Sequence, residues 1–262
     1  METVQLHSKE FGSGEPLIIL HGLFGSLDNW QTLARRLAES WRVITVDQRN
    51  HGHSPHADVH TYAAMAADLR AFLAEHRLSP VRLLGHSMGG KTAMRFALDS
   101  PDDVRSLTVV DIAPRAYSRH HDHILDALCG LDLARFTTRR DIDAALAVSL
   151  PDPAVRQVLL KNVRRTDAGK FGWKMNLPVI RDQYDELLAE IRGNRPFAKP
   201  ALFLRGGKSD YVRESDLPSI RLLFPNADVA EIDAGHWLHA EAPDEFARIL
   251  DAFLKRCRQA GS

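Results

Sequence analysis

The sequence predicts a mostly parallel α/β sheet wrapped by helices on both faces, with one long helical insertion. Three observations carry this. Six short runs, apolar on consecutive positions, alternate with helical stretches. The turn Gly85-His86-Ser87-Met88-Gly89 joins one run to a helix with no loop between. From Arg115 to Lys199 no strand-like run appears, far longer than an ordinary βα connection of roughly 2–6 residues.

The runs are residues 16–20, 42–46, 81–84, 107–110, 201–204 and 229–232. Unbroken apolar character, rather than alternation, marks strands buried on both faces of a parallel sheet. Between them, residues 30–39 carry Leu33, Ala34 and Leu37 on one stripe, and residues 62–75 carry Met65, Leu69, Phe72 and Leu73. A third helical pattern spans residues 246–254. Alternating strand and helix imply right-handed βαβ units. Residues 1–114 and 199–262 are therefore expected to form the core domain. Residues 115–198, broken at Pro151-Asp152-Pro153, are expected to form a helical cap.

The chain has 262 residues and 44% hydrophobic content, enough to bury a sizeable core. Lys+Arg and Asp+Glu are both 34, so neither nucleic acid nor an anionic membrane surface is an expected partner. No apolar run approaches the roughly 20 residues of a bilayer span, and METVQLHSKEFGSGEP lacks a signal peptide's apolar core. Two cysteines, Cys129 and Cys257, make no disulfide framework and no C-x-x-C pair. A cytoplasmic location with reduced thiols is the expectation.

Ser87 sits in G-x-S-x-G, with a strand before and a helix after. That context makes it a nucleophile candidate, held in a strained turn with its hydroxyl at the sheet's carboxyl edge. The helix that follows aims its first amides at the serine and favours developing negative charge. His21-Gly22-Leu23-Phe24-Gly25 ends an earlier strand. The amides of Leu23 and Met88 are expected to form a two-donor oxyanion hole. Late in the chain, Asp233-Ala234-Gly235-His236-Trp237 follows a strand and offers His236 as general base. Two carboxylates compete as its partner. Asp111 ends one strand and Asp210 lies in the loop after the next, and chain order does not separate them.

Histidines 51, 53 and 56 and histidines 120, 121 and 123 lack metal-site spacing and read as solvated loop or cap residues, so no metal is expected. Lys91 reads as a helix-surface or supporting residue. Phe24, Trp173 and Trp237 are expected to line the substrate pocket, with Phe171, Met175 and Leu177 beside Trp173.

Together "HGLFGSLDNW", "DQRNHGHS", "GHSMGGK", "VDIAP", "FLRGGKSDYV" and "AGHWLHAE" resemble the α/β-hydrolase superfamily. Within it they are most similar to the YbfF-type esterases and their abhydrolase domain-containing protein 11 relatives. The resemblance spans nearly the whole chain. It implies an eight-stranded, mostly parallel sheet, a helical cap inserted after the sixth strand, and esterase or thioesterase activity without a cofactor. It implies Ser87 as nucleophile, His236 as base and, through "VDIAP", Asp111 as acid. Asp210 departs from those relatives, which tend to carry an uncharged residue there. The expected function is hydrolysis of small acyl esters or thioesters through an acyl-enzyme. Carbon–carbon bond hydrolysis, perhydrolysis or a slow-turnover receptor pocket are the alternatives on the same scaffold.

Overall fold

The structure, a computed structural model, describes residues 2–259. Four of its first five strands are β1 (Ser8–Phe11), β2 (Pro16–Leu20), β3 (Arg42–Val46) and β4 (Val81–His86), and the fifth is β5 (Val104–Val110). Later come β6 (Val163–Arg165), β7 (Phe171–Trp173), β8 (Ala201–Gly206) and β9 (Ala227–Ile232). The main sheet runs β1-β3-β2-β4-β5-β8-β9. All its pairings are parallel except that of β1 with β3.

The central strands β2, β3, β4, β5 and β8 are largely buried on both faces, which explains their consecutive apolar positions. Ile18 and Leu20 of β2 pack with Met65, Leu69 and Phe72 of α2 (Tyr62–His76), after α1 (Gln31–Leu37) in the chain, and with Met94 of α3 (Met88–Asp99). Leu17 and Ile19 face the other way, onto Leu33 and Leu37 of α1 and Phe246 and Leu250 of the C-terminal helix. α2 starts where the Thr61 hydroxyl accepts from Ala64 N, and stops at Arg77, whose φ of 53° breaks the spiral.

Among the described residues the sheet has seven strands rather than the eight that the resemblance implies, so the insertion follows the fifth. The N-terminal lead-in before β1 bonds largely to side chains, besides one backbone bond from Asp47 N to His7 O at 2.9 Å. Val4 N donates to Asp68 Oδ1 at 2.8 Å, and His7 N to Ser54 Oγ at 2.8 Å. The insertion holds α4 (Asp122–Cys129), α5 (Arg139–Ala147), α6 (Pro153–Leu160), α7 (Leu177–Asp182) and α8 (Tyr184–Leu188). It also holds the antiparallel hairpin β6–β7, with Val163 opposite Trp173, which the all-helical expectation omits. Strands of three residues are too short to print a period in the sequence.

After β8 the chain forms α9 (Leu217–Leu223), and after β9 it forms α10 (Leu238–Glu241) and α11 (Pro243–Gln259). Because β2, β4, β5, β8 and β9 are parallel, their carboxyl ends share one edge. Ligand sites of open α/β sheets form at that edge. Among the described residues no helix is long and apolar enough to cross a membrane.

Candidate active site

Ser87 occupies the one residue between β4 and α3, at φ 52° and ψ −119°. Few L-residues adopt this backbone, so the surroundings must impose it. Ser87 N donates to Val110 O at 3.0 Å, and Lys91 N donates back to Ser87 O at 3.0 Å. Flanking glycines are a steric necessity. A Cβ on Gly85 would sit 2.1 Å from Gly89 O, and one on Gly89 would sit 2.5 Å from the carbonyl oxygens of Leu20 and His21. The turn thus wedges α3 against the end of β2. Met88 is the first residue of α3, where amides lack an intrahelical acceptor.

The chain leaving β2 touches the same spot. A Cβ on Gly22 would lie 2.8 Å from His86 Nδ1 and 3.1 Å from Ser87 Cβ. Leu23, Ser87 and Met88 line one cavity of about 30 Å³. Leu23 and Met88, the two residues expected to supply the oxyanion hole, are thus brought beside Ser87.

Asp111 follows β5 at φ 48°, and its side chain is wholly buried. Its carboxylate accepts three hydrogen bonds: from Gly206 N at 2.9 Å, Ser209 Oγ at 2.5 Å and His236 Nδ1 at 2.8 Å. Asp210 does not compete. Its side chain is 91% exposed and pairs with Arg213 at 3.6 Å. The two candidates separate because Asp111 is fixed at a strand end, whereas Asp210 lies on the outer side of a loop whose Ser209 turns inward. Ser209 is a supporting residue that the sequence does not single out.

The loop bearing His236 is held by its own neighbours. Glu241 accepts from Gly235 N at 2.6 Å and from Trp237 N at 3.1 Å. His86 Nε2 donates to His236 O at 2.9 Å. Burial, with His236 and His239 close by, holds His86 well below the usual histidine range, so it stays neutral. With Nδ1 committed to Asp111, Nε2 is the remaining ring nitrogen of His236.

The cavity walls differ from the expected set. They include Tyr62, Tyr117, Tyr184 and Tyr211, with Ile112, Leu187, Leu188, His120 and His121. These four are all the tyrosines in the chain. Nothing in their spacing announces this, since their positions are scattered over four separate segments. Phe24 is buried and meets the His121 ring edge-on at 5.7 Å instead of lining the cavity. Trp173 stands in the β6–β7 hairpin against the core and does not line it either. Trp237 lines a separate small cavity with Leu23, His86 and His239. The histidines are not all solvated: His51 is fully buried beside His21, ring centroids 5.1 Å apart, and His121 lines the cavity. Among the described residues no three His, Cys, Asp or Glu side chains are grouped to hold a metal ion.

Comparison with known proteins agrees with this fold. Residues 15–142 match the α/β hydrolase fold family. The chain is 39% identical over 253 residues to the Danio rerio sn-1-specific diacylglycerol lipase ABHD11, covering 93% of this chain and 80% of that one. It is 38% identical over 244 residues to Escherichia coli esterase YbfF, covering 92% and 94%. A solved marine microorganism esterase superposes with TM-score 0.94 at 42% identity, covering 96% of this chain and all of the other. The chain belongs to the α/β-hydrolase family.

Of the two readings of Lys91, the helix-surface one is corrected, because the residue is 1% exposed, and the supporting one stands. Its ammonium donates to Ala189 O at 2.6 Å and Leu188 O at 3.4 Å, and lies 4.7 Å over the Tyr117 ring. Burial, and secondarily Arg115, pull it down to about 7 from 10.5, while Glu190 acts the other way. Between these values the unfolded chain holds a proton that the folded protein sheds. Stability contributed by Lys91 therefore rises with pH across that window and is least below it. Lys91→Met should flatten the rise. In urea unfolding at about pH 7 and about pH 9.5, the gain of the parent over the variant should be roughly 3 kcal/mol. Equal slopes for both proteins would show that Lys91 stays charged throughout.

Proposed function

We propose that this chain is a serine hydrolase cleaving carboxylic esters or thioesters of small acyl groups through an acyl-enzyme. The observation that carries the reading is the buried Asp111–His236 pair at the same sheet edge as the strained Ser87 turn. His236 takes the Ser87 hydroxyl proton as Oγ attacks the acyl carbonyl, and Asp111 fixes the tautomer and stabilises the imidazolium. The amides of Leu23 and Met88 hold the oxyanion. His236 then protonates the departing alcohol or thiol and activates the water that frees the acid. The names of the esterase and lipase relatives support ester hydrolysis.

Residues 115–198 act as the cap, roofing the cavity with His121, Tyr184, Leu187 and Leu188. The small volume beneath them supports a short acyl group. A reducing, cytoplasmic setting fits the free thiols of Cys129 and Cys257.

The acid assignment is tested by Asp111→Asn beside Asp210→Asn, both checked by thermal melt. Asp111→Asn should lose on the order of 10⁴ in kcat on p-nitrophenyl acetate, and Asp210→Asn less than about threefold. A dead Asp210→Asn beside an active Asp111→Asn reverses the assignment. Across p-nitrophenyl esters from acetate to palmitate, kcat/KM should fall as the chain lengthens. A steady climb to palmitate would rule out the small-acyl reading.

A further inference from the structure

Tyr211 lies in the loop after β8, one residue past the outward-turned Asp210. Its ring stacks on the imidazole of His236, with centroids 4.0 Å apart and planes 20° from parallel. Asp111 restrains His236 from one edge, and His86 approaches with centroids 4.6 Å apart at 44°. A single hydrogen bond at Nδ1 still leaves the ring free to rock about it. A flat partner against the ring face removes that freedom.

The tyrosine is itself held firmly. Its carbonyl accepts from Tyr117 Oη at 2.6 Å, and its amide donates to Ser209 Oγ at 3.3 Å. Its hydroxyl sits in a chain whose donors can be assigned. His120 Nδ1 lies 2.7 Å from Ser118 O, and a carbonyl only accepts, so Nδ1 carries the proton. His120 Nε2 then accepts from the Tyr211 hydroxyl at 2.7 Å. Burial raises the ionisation of Tyr211 beyond its usual range, so the hydroxyl keeps its proton. That leaves the Tyr211 oxygen to accept from His121 Nε2 at 3.3 Å, and His121 Nδ1 to accept from Tyr184 Oη at 3.1 Å. Burial, with His120 and His236 nearby, pushes His121 down to about 3, so it serves as a neutral link.

We infer that Tyr211 is a positioning residue: its ring fixes the plane of the His236 imidazole, and its hydroxyl braces that ring against the roof of the cavity. The same face is the favourable side for a cation, so the imidazolium formed on Ser87 attack is stabilised by the ring beneath it. The titratable groups facing His236 are Asp111 from β5, His86 from β4, His121 from the roof and His239 from α10, besides Tyr211. Among the described residues only Tyr211 offers an aromatic face stacked on the ring.

The kinetic arm of the test rests on the ester-hydrolase reading, and a spectroscopic arm does not. Tyr211→Leu should lower kcat on p-nitrophenyl acetate roughly tenfold with KM changed less than about threefold, and shift the acid limb of the pH–rate profile downward by about half a unit. Tyr211→Phe keeps the ring and should regain most of the loss. In full-length protein, the imidazole NMR signal that vanishes in His236→Gln should titrate at lower pH in Tyr211→Leu than in the parent. An unshifted titration, a loss confined to KM, or a Tyr211→Phe as impaired as Tyr211→Leu overturns the inference. Should Tyr211→Leu melt below the assay temperature, Tyr211→Met replaces it under the same criteria. A parent protein inert toward every ester refutes the functional reading alone, because the titration still decides the role of Tyr211.

Discussion

The hydrogen bond from His236 Nδ1 to Asp111 Oδ2, 2.8 Å long and shielded from water, is the constraint around which the sheet edge is organised. A carboxylate with no solvent contact is tolerable only where donors replace its hydration. Asp111 has three, and each comes from a different part of the chain after β5. Gly206 ends β8, Ser209 lies in the next loop, and His236 follows β9. Satisfying one buried charge therefore draws three segments to one point. Removing Asp111 would leave all three without their shared acceptor.

The strained serine turn is the matching demand from the neighbouring strand at the same edge. Its backbone conformation is costly in isolation, on the order of 1–3 kcal/mol, and the neighbours leave no alternative. Ser87 N is tied to the carbonyl of Val110, the residue before Asp111. The strain at the serine and the burial of the carboxylate are thus fixed by adjacent peptide units of one strand end. His86, beside Ser87, reaches across to the backbone of His236 and closes the circuit. Parallel strands make this economical, because every contributing loop leaves the sheet at the same edge.

Much of this is legible in the sequence where backbone geometry dictates residue type. The glycines around Ser87 are forced by contacts under 3 Å, so the turn announces itself. The six apolar runs became β2, β3, β4, β5, β8 and β9, the first five because strands buried on both faces need no alternation, whereas β9 is half-exposed at the sheet edge. Other features carry no such print. Asp111 and Asp210 have the same chain order relative to Ser87 and His236; the resemblance carried by "VDIAP" favours Asp111, and burial separates the two in the structure. Lys91 reads as a helix-surface or supporting residue because helices are usually amphipathic, and the surface half fails because α3 is buried from Met88 through Met94 and admits no wet face there. The four tyrosines converge through packing of the insertion on the core, which no local spacing encodes. Trp173 fails as a pocket residue for the same reason, its three-residue strand being invisible to periodicity.

The central claim is that the Ser87 turn and the Asp111–His236 pair together make Ser87 an activated nucleophile. Intact-mass and peptide-mapping analysis after treatment with a fluorophosphonate measures this directly, since such reagents phosphonylate a serine whose proton a neighbouring base removes. The account predicts one adduct per chain, on Ser87, with ester hydrolysis lost in proportion to labelling. Labelling that persists in Ser87→Ala, or full hydrolysis by protein whose Ser87 is modified, would contradict it.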